Sequence, residues 1–377
     1  MGLCTEEEML QILRCSSSVF LLEPNYKRKY VPLGLAKIAS FVRYHGGVVR
    51  FGRKFDPTPI QGQPINLVCV TSLFTYQAPK VLEALDSIPH HIPILLGGVA
   101  ASLLSRFFSL KFPDVKVFVG YSKVLDECMP SYYSIDWQID PHWQDWSFTF
   151  TRRGCPNHCA YCAVPKLEPD CWINPYWRGH ILFSKPNAMI SDNNLSSAPR
   201  WHVREVVDYL QDHNKNVMID NGLDPKFIDE EVAQWMAKLT FIEKGMRTAF
   251  DRIEEDGIFQ RAMKRLLKAG VPADQIMAYI LHNFNDKPQE ADYRAQECVK
   301  LGITPYPQQF VPLNHMTNDP KATYVGKHWT FGLNKAFRFF YRKPDYYTTM
   351  TFGQFIRILR SSWPGALKQE DLEAWYT

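Results

Sequence analysis

Arg153-Gly154-Cys155-Pro156-Asn157-His158-Cys159-Ala160-Tyr161-Cys162-Ala163 puts three cysteines on one short loop, spaced Cys-x3-Cys-x2-Cys, with an aromatic residue directly before the third. Three thiolates this close suit a soft iron or zinc centre. A 4Fe-4S cluster held by three cysteines leaves one iron open to a ligand that is not protein. Two other arrangements compete: a structural zinc site, and a closed four-cysteine cluster with Cys171 as the fourth ligand. Structural zinc usually takes its cysteines as two short couples well separated in sequence, and the chain has no second couple. Cys171 lies beyond Pro165 and Pro169 with no motif around it. The open-iron arrangement is preferred.

The rest of the chain suits a reduced metal centre. At 377 residues, with 46% hydrophobic and 22% charged, it can build a small and a large globular domain. No apolar run approaches the roughly 18 residues of a membrane span, so no membrane partner is expected. Nine cysteines behind an acidic N-terminus, Thr5-Glu6-Glu7-Glu8, without a basic-then-apolar leader, point to the reducing cytoplasm. Gly2 does not fit a myristoylation signal, because Glu6 to Glu8 cover the expected Ser/Thr position. Cys15, Cys69, Cys128 and Cys298 stand singly and are expected mostly as buried small apolar residues. A net charge of +4 permits an anionic partner without demanding one.

Two stretches of alternating strand and helix surround the loop. In the first, strands are expected at Ser18–Leu22, Val48–Phe51, Leu67–Val70, Ile94–Leu96 and Val115–Gly120, with helices at Leu35–Tyr44, Ala78–Ser87 and Ala101–Leu110. That rhythm predicts a parallel α/β sheet over residues 1–135. A polar, tryptophan-rich connector, 136–147, follows. A second rhythm over 148–313 starts with the strand Phe148–Thr151, which runs into the cysteine loop. It continues with strands at Ala188–Ser191, Val217–Asp220, Met246–Asp251, Ile276–Leu281 and Pro307–Val311, separated by helices. Six strands with intervening helices predict a partial (βα)6 TIM-type barrel. Residues 314–377 form a small aromatic, basic region.

The cysteine spacing with Tyr161 before Cys162 resembles the radical S-adenosylmethionine (radical SAM) superfamily, and the resemblance spans roughly residues 18 to 313. It implies that Cys155, Cys159 and Cys162 hold a 4Fe-4S cluster whose free iron chelates the amino and carboxylate groups of SAM. One electron from the cluster then splits SAM into methionine and a 5′-deoxyadenosyl radical, which abstracts hydrogen from a substrate. An electron donor such as flavodoxin or ferredoxin is implied as partner. Function in such barrels sits at the carboxyl ends of the strands. There, Tyr161 would meet adenine. Asp192-Asn193-Asn194 resembles the family's Asp-Asp-Asn element, Asn221-Gly222-Leu223 its Asn/Gln-Gly-Leu segment, and Arg247-x-Ala249-x-Asp251 its Arg-x-Ala-x-Asp pattern. Arginine suits the SAM carboxylate through a two-pronged hydrogen bond, and Asn221 offers both donor and acceptor to a ribose. Read without the family, the same residues make turns, caps and a strand-end ion pair. His282, Asn283 and Gln308 are weaker strand-end candidates, and His282 is expected to be structural.

The first domain resembles the cobalamin-binding-type domain found before many radical SAM barrels, through Pro32-Leu33-Gly34-Leu35, Thr71-Ser72-Leu73 and Gly97-Gly98. The Asp-x-His-x-x-Gly motif of the base-off type is absent, so a structural or substrate-shaping role is preferred over bound cobalamin. In 314–377, Trp329, Phe331, Phe337, Phe339, Phe340, Tyr341, Tyr346 and Tyr347 interleave with Lys327, Lys335, Arg338, Arg342 and Lys343. That mixture can stack bases and grip phosphates, but it also describes a helical cap with cationic stems at its rim, which is preferred. Methylthiolation is not expected, because neither a TRAM-like β-domain nor a second N-terminal cysteine triplet is present. Maturation chemistry with auxiliary clusters is also not expected, since Cys298 is the only later cysteine. Three functions are carried forward: a radical SAM enzyme on a small or nucleotide-linked substrate, a cobalamin-dependent radical SAM methyltransferase, and a non-enzymatic metal-cluster protein that binds nucleic acid.

Overall fold

The computed structural model describes residues 2–26, 30–131, 137–317, 323–363 and 365–376. The start of the tryptophan-rich connector, through Asp136, lies outside the described residues. The chain forms two compact units, Met1–Lys185 with Leu313–Ala322 and Pro186–Pro312 with Thr323–Thr377.

The first unit carries a parallel sheet of β1 (Leu3–Cys4), β2 (Ser18–Leu22), β3 (Val48–Gly52), β4 (Leu67–Ser72), β5 (Ile94–Gly98) and β6 (Val115–Phe118), in the order β1-β6-β5-β4-β2-β3. Every residue of β2 is buried, as a strand covered on both faces requires. Phe20, Leu22, Val68, Val70, Leu96, Phe108 and Val117 form a core with Val81, Leu85 and Ile88. The strand order reverses at β2, the switch position at which doubly wound sheets open a crevice beyond their strand ends. At the end of β5, Gly98 has φ +97°, and a Cβ there would lie 2.2 Å from the Ser72 carbonyl oxygen. The Ser72 hydroxyl donates to the Gly97 carbonyl at 2.8 Å and accepts the Ala101 N–H at 2.8 Å. These small residues thus close a tight strand-to-helix turn. The same unit adds β7 (Trp146–Thr149) and an antiparallel pair, β8 (Arg152–Arg153) and β9 (Trp172–Ile173).

In the second unit, β10 (Asn187–Ile190), β11 (Asn216–Leu223), β12 (Thr240–Ala249), β13 (Ile276–His282) and β14 (Thr304–Gln309) lie side by side in chain order, all parallel. Helices Arg200–Asp212, Glu230–Met236, Ile258–Ala269 and Pro288–Lys300 connect them. Both units are therefore α/β with parallel sheets. After β14 come helices Phe331–Tyr341, Pro344–Tyr347, Phe352–Ser362 and Gln369–Tyr376.

Several boundaries differ from expectation. The helix expected over Ala101–Leu110 is two helices, Val99–Leu103 and Ser105–Lys111, broken at Leu104. The last strand begins at Thr304 rather than Pro307, since the outermost strand of the sheet accommodates both Pro305 and Pro307. The acidic N-terminus is a strand and a helix, Glu6–Cys15, started by a capping box between Thr5 and Glu8. Cys69 and Cys298 are buried as expected, but Cys15 is exposed and Cys128 half-buried.

Candidate functional site

The cysteine loop is the segment between β8 and β9. In the register of this pair Arg152 faces Ile173 and Arg153 faces Trp172, so the chain leaves and re-enters at one stem. Gly154, the first residue beyond β8, has φ +77°, and a Cβ there would lie 2.3 Å from the Asp170 carbonyl oxygen. Only glycine satisfies both the left-handed backbone and that contact. From Cys155 to Leu167 no residue is buried. The three cysteines are half-buried, with a tight turn in which the Cys162 N–H donates to the Cys159 carbonyl at 3.0 Å. The Val164 N–H points at the Cys162 sulfur at 3.5 Å. Tyr161 is half-buried between them. No three His, Cys, Asp or Glu side chains among the described residues, these cysteines included, are gathered closely enough to enclose a metal ion. The donor set itself fits an iron–sulfur cluster: three accessible thiols on backbone that no long element constrains.

A buried charge network that sequence reading missed holds the stem. Arg153 donates through Nε and Nη2 to the two Asp126 carboxylate oxygens, at 2.6 and 2.9 Å, and through Nη1 to Glu168 at 3.0 Å. The other Glu168 oxygen accepts the Gly154 N–H at 2.9 Å. Lys37, from the helix Leu33–Tyr44, reaches Asp126 at 2.5 Å, with both side chains at most 5% exposed. The Arg153 guanidinium also stacks on Phe150 at 3.4 Å. Two cations and two anions balance. Burial alone would raise the Asp126 pKa, but Arg153 and Lys37 override it and hold it at about 2. Burial lowers the Lys37 pKa, against the pull of Asp126. Beside the network, burial pushes His180 down to about 4, and its Nδ1 lies 3.1 Å from the Thr149 hydroxyl.

The β8–β9 pair also bears on Cys171. It lies opposite Gly154 in the stem, its Cα 3.0 Å from where a Gly154 Cβ would sit, and its side chain is exposed. Strands of two residues leave no alternation to read, so no sequence pattern marks this position.

The remaining candidates lie at strand ends of the second unit. Asp192 and Asn194 are buried and Asn193 is half-buried, just beyond β10. Asn194 Oδ1 accepts from the Ser196 hydroxyl at 2.9 Å and the Asp224 N–H at 3.4 Å, tying the end of β10 to the end of β11. Asn221 is exposed, and its Nδ2 donates to the Ser191 carbonyl at 2.6 Å. Gly222 adopts φ +93°, and a Cβ there would sit in ordinary contact, 3.6 Å from the Thr248 backbone and the Tyr279 ring. Arg247 donates to the Tyr279 hydroxyl at 3.1 Å and the Asp220 carbonyl at 3.4 Å, and its second Nη meets the Met218 sulfur at 3.2 Å. Tyr279 donates in turn to the Asp220 carbonyl at 2.8 Å. Asp251 is engaged elsewhere, accepting the Leu281 N–H at 3.2 Å. Asp220 and Tyr279 therefore join Asn221, Gly222 and Arg247 in one cluster. Burial raises the Asp220 carboxyl to about 6, against the pull of Arg247.

The weaker candidates are structural. His282 is fully buried between Trp329 and Phe337, ring centroids 5.1 and 5.0 Å away, and burial lowers its pKa to about 3. Asn283 bolts the chain after β13 to Phe310, Tyr324, Gly326 and Asn334. Gln308 is exposed. In the C-terminal helices Trp329, Phe337, Phe340, Tyr341 and Phe352 are buried core, while Phe331 and Phe339 are about half exposed. Arg338 donates to Gln309, and Arg342 lies over the Tyr306 ring. Packing thus uses half of the eight aromatics that a base-stacking surface would draw on.

No protein-family model matches the chain, and no curated protein matches it. No helix among the described residues is long and apolar enough to cross a membrane.

Proposed function

We propose that the chain is a radical SAM enzyme in which Cys155, Cys159 and Cys162 hold a 4Fe-4S cluster with one iron open to S-adenosylmethionine. The observation that carries this is the cysteine loop: three accessible thiols in the Cys-x3-Cys-x2-Cys spacing, on a stem fixed by Gly154 and the Asp126–Arg153–Glu168 network. The alternating strands and helices from Trp146 to Gln309 are taken as the superfamily's partial (βα)6 barrel. When bound, the cluster supplies the electron that cleaves SAM reductively and starts hydrogen abstraction from a small or nucleotide-linked substrate.

The chain's own groups bind and orient. Tyr161 offers a ring face to adenine. Arg247, fixed by Tyr279, offers its guanidinium to a carboxylate. Asn221 and Gly222 are assigned to a ribose, and Asp192, Asn193, Asn194 and Asp251 to the remaining polar contacts of SAM. Burial raises the Asp220 carboxyl to about 6, so it takes up a proton at mildly acidic pH. The first unit is assigned a structural or substrate-shaping role rather than cobalamin binding, since the Asp-x-His-x-x-Gly motif of the base-off type is absent. A cytoplasmic location and a flavodoxin- or ferredoxin-type donor complete the proposal.

Anaerobic reconstitution with iron and sulfide, followed by SAM and a reductant, tests it. The intact cluster is expected to yield 5′-deoxyadenosine, and alanine at Cys155, Cys159 or Cys162 to abolish both cluster and product. Cys171→Ala is expected to retain both. An intact cluster that yields no 5′-deoxyadenosine overturns the proposal, as does a cluster that requires Cys171. Cobalamin carried through purification would favour the methyltransferase instead.

A further inference from the structure

The first unit holds a cavity of about 500 Å³ beyond the ends of β2 and β3, a size that accommodates a small molecule. Its wall combines Phe20, Phe51 and Gly52 with Arg50, Arg53 and Lys54. The acidic residue among its lining is Asp56, already in contact with Arg50 at 3.5 Å. Arg53 is the unusual member. Its side chain is 5% exposed, and one Nη donates to Glu23. Its Nε and its other Nη are shut from solvent, with no hydrogen-bond partner among the described residues. The Arg50 Nε is in the same state, while its Nη2 is held by the Asp56 and Thr58 carbonyls. Unmade hydrogen bonds on a buried guanidinium are expensive, and a planar fork with two free N–H groups matches an oxyanion.

The surrounding rings give the cavity a second property. Arg50 lies over Phe20 at 5.2 Å and Arg53 over Phe51 at 5.4 Å, so apolar faces flank the cations. A bare inorganic ion would leave most of a cavity of about 500 Å³ unfilled. The position is also separate from the ends of β4 and β5, where Ser72, Gly97 and Gly98 close their own turn.

We propose that this cavity is a binding site for a small organic oxyanion, a phosphate ester or carboxylate carrying an apolar or aromatic body, with Arg53 as its anchor and Lys54 at its mouth. It is independent of the metal centre and is read on the full chain without a cluster.

Isothermal titration calorimetry with phenyl phosphate, benzoate, inorganic phosphate and neutral benzamide tests it. Saturable one-to-one binding is expected for phenyl phosphate or benzoate, with inorganic phosphate weaker and benzamide silent. Lys54 is exposed, so Lys54→Glu folds normally and is expected to weaken the organic anion about tenfold. Arg53→Met is expected to weaken it by about tenfold to a hundredfold, with far-ultraviolet circular dichroism confirming the fold. Absence of saturable binding by either organic anion overturns the proposal. So does binding that Lys54→Glu leaves unchanged, or benzamide binding as tightly as benzoate.

Discussion

Replacing Asp126 with asparagine tests whether the buried charge network builds the cysteine loop. The substitution keeps shape and removes the charge that neutralises Lys37 and Arg153, both of them largely enclosed. The fall of the Asp126 pKa from 3.8 to about 2 corresponds to about 2.5 kcal/mol favouring the charged, folded form, at about 1.4 kcal/mol per pH unit. Stranding a buried ion by removing its partner costs about 3–5 kcal/mol. Asp126→Asn should therefore lose about 3 kcal/mol, read as a shift in urea midpoint at constant slope. The sign with pH is also fixed. A carboxylate depressed in the folded state contributes fully above about pH 4, and that contribution is lost as pH falls toward about 2. The wild type should show this acid loss more strongly than the variant. Leu96→Ala serves as control, a fully buried core position in the same unit whose truncation costs about 2–5 kcal/mol. Asp126→Asn should reduce iron uptake on reconstitution, whereas Leu96→Ala should not, and Asp126→Glu should restore part of it. An Asp126→Asn protein within about 1 kcal/mol of wild type, or one that takes up iron as well as Leu96→Ala does, would show that the loop does not depend on this network.

Gly154→Ala should cost at least about 1–3 kcal/mol and block iron uptake, while Gly62→Ala, also at positive φ but with nothing within 4 Å, should cost about 1 kcal/mol, as thermal melts and iron assays will show. Glu23 is raised by burial from 4.5 to about 7 despite Arg53, so the folded state holds its proton where the unfolded chain releases it. Stability should consequently fall as pH rises from about 4.5 through about 7, by at most about 3 kcal/mol, and Glu23→Gln should flatten that part of a urea-midpoint profile. His282 runs the opposite way: its pKa of about 3 means that stability falls as pH drops below about 6.5, and His282→Phe should remove this loss while leaving 5′-deoxyadenosine formation intact.

How far the sequence revealed the molecule depended on the kind of interaction. Strands covered on both faces, such as Ser18–Leu22, are continuous apolar runs, and Ile258–Ala269 announces its end with Gly270, which adopts φ +110°. Such elements report their own burial. Thr5-Glu6-Glu7-Glu8 also carried a readable capping box, which the run of acidic residues masked. The stem pair β8–β9 was not readable, because two-residue strands eighteen residues apart show no period. Nor was the network, which joins Lys37, Asp126, Arg153 and Glu168 across long separations. Lys37 on the buried face of its helix was the one local sign, a charge where the pattern called for an apolar residue. At the strand ends the sequence named Asn221, Gly222 and Arg247 but not Tyr279, whose hydroxyl meets Arg247 only through the register of β12 against β13.

The cysteine loop has no core of its own, since nothing between Cys155 and Leu167 is buried. Its order must come from its stem or from whatever its thiols bind. The stem residues Arg153 and Glu168 are held through Asp126 and Lys37 to the first α/β sheet's own helices. Any ligand that binds the ordered loop and not the unfolded chain must then stabilise that sheet as well, by an amount set by its concentration and affinity. Metal binding by the loop would thus be linked to the stability of an α/β layer that carries none of the loop's thiols. Cluster loss should lower the unfolding midpoint of the first unit, and disordering the stem by Asp126→Asn should lower cluster affinity, whereas Leu96→Ala, which leaves the stem in place, should not.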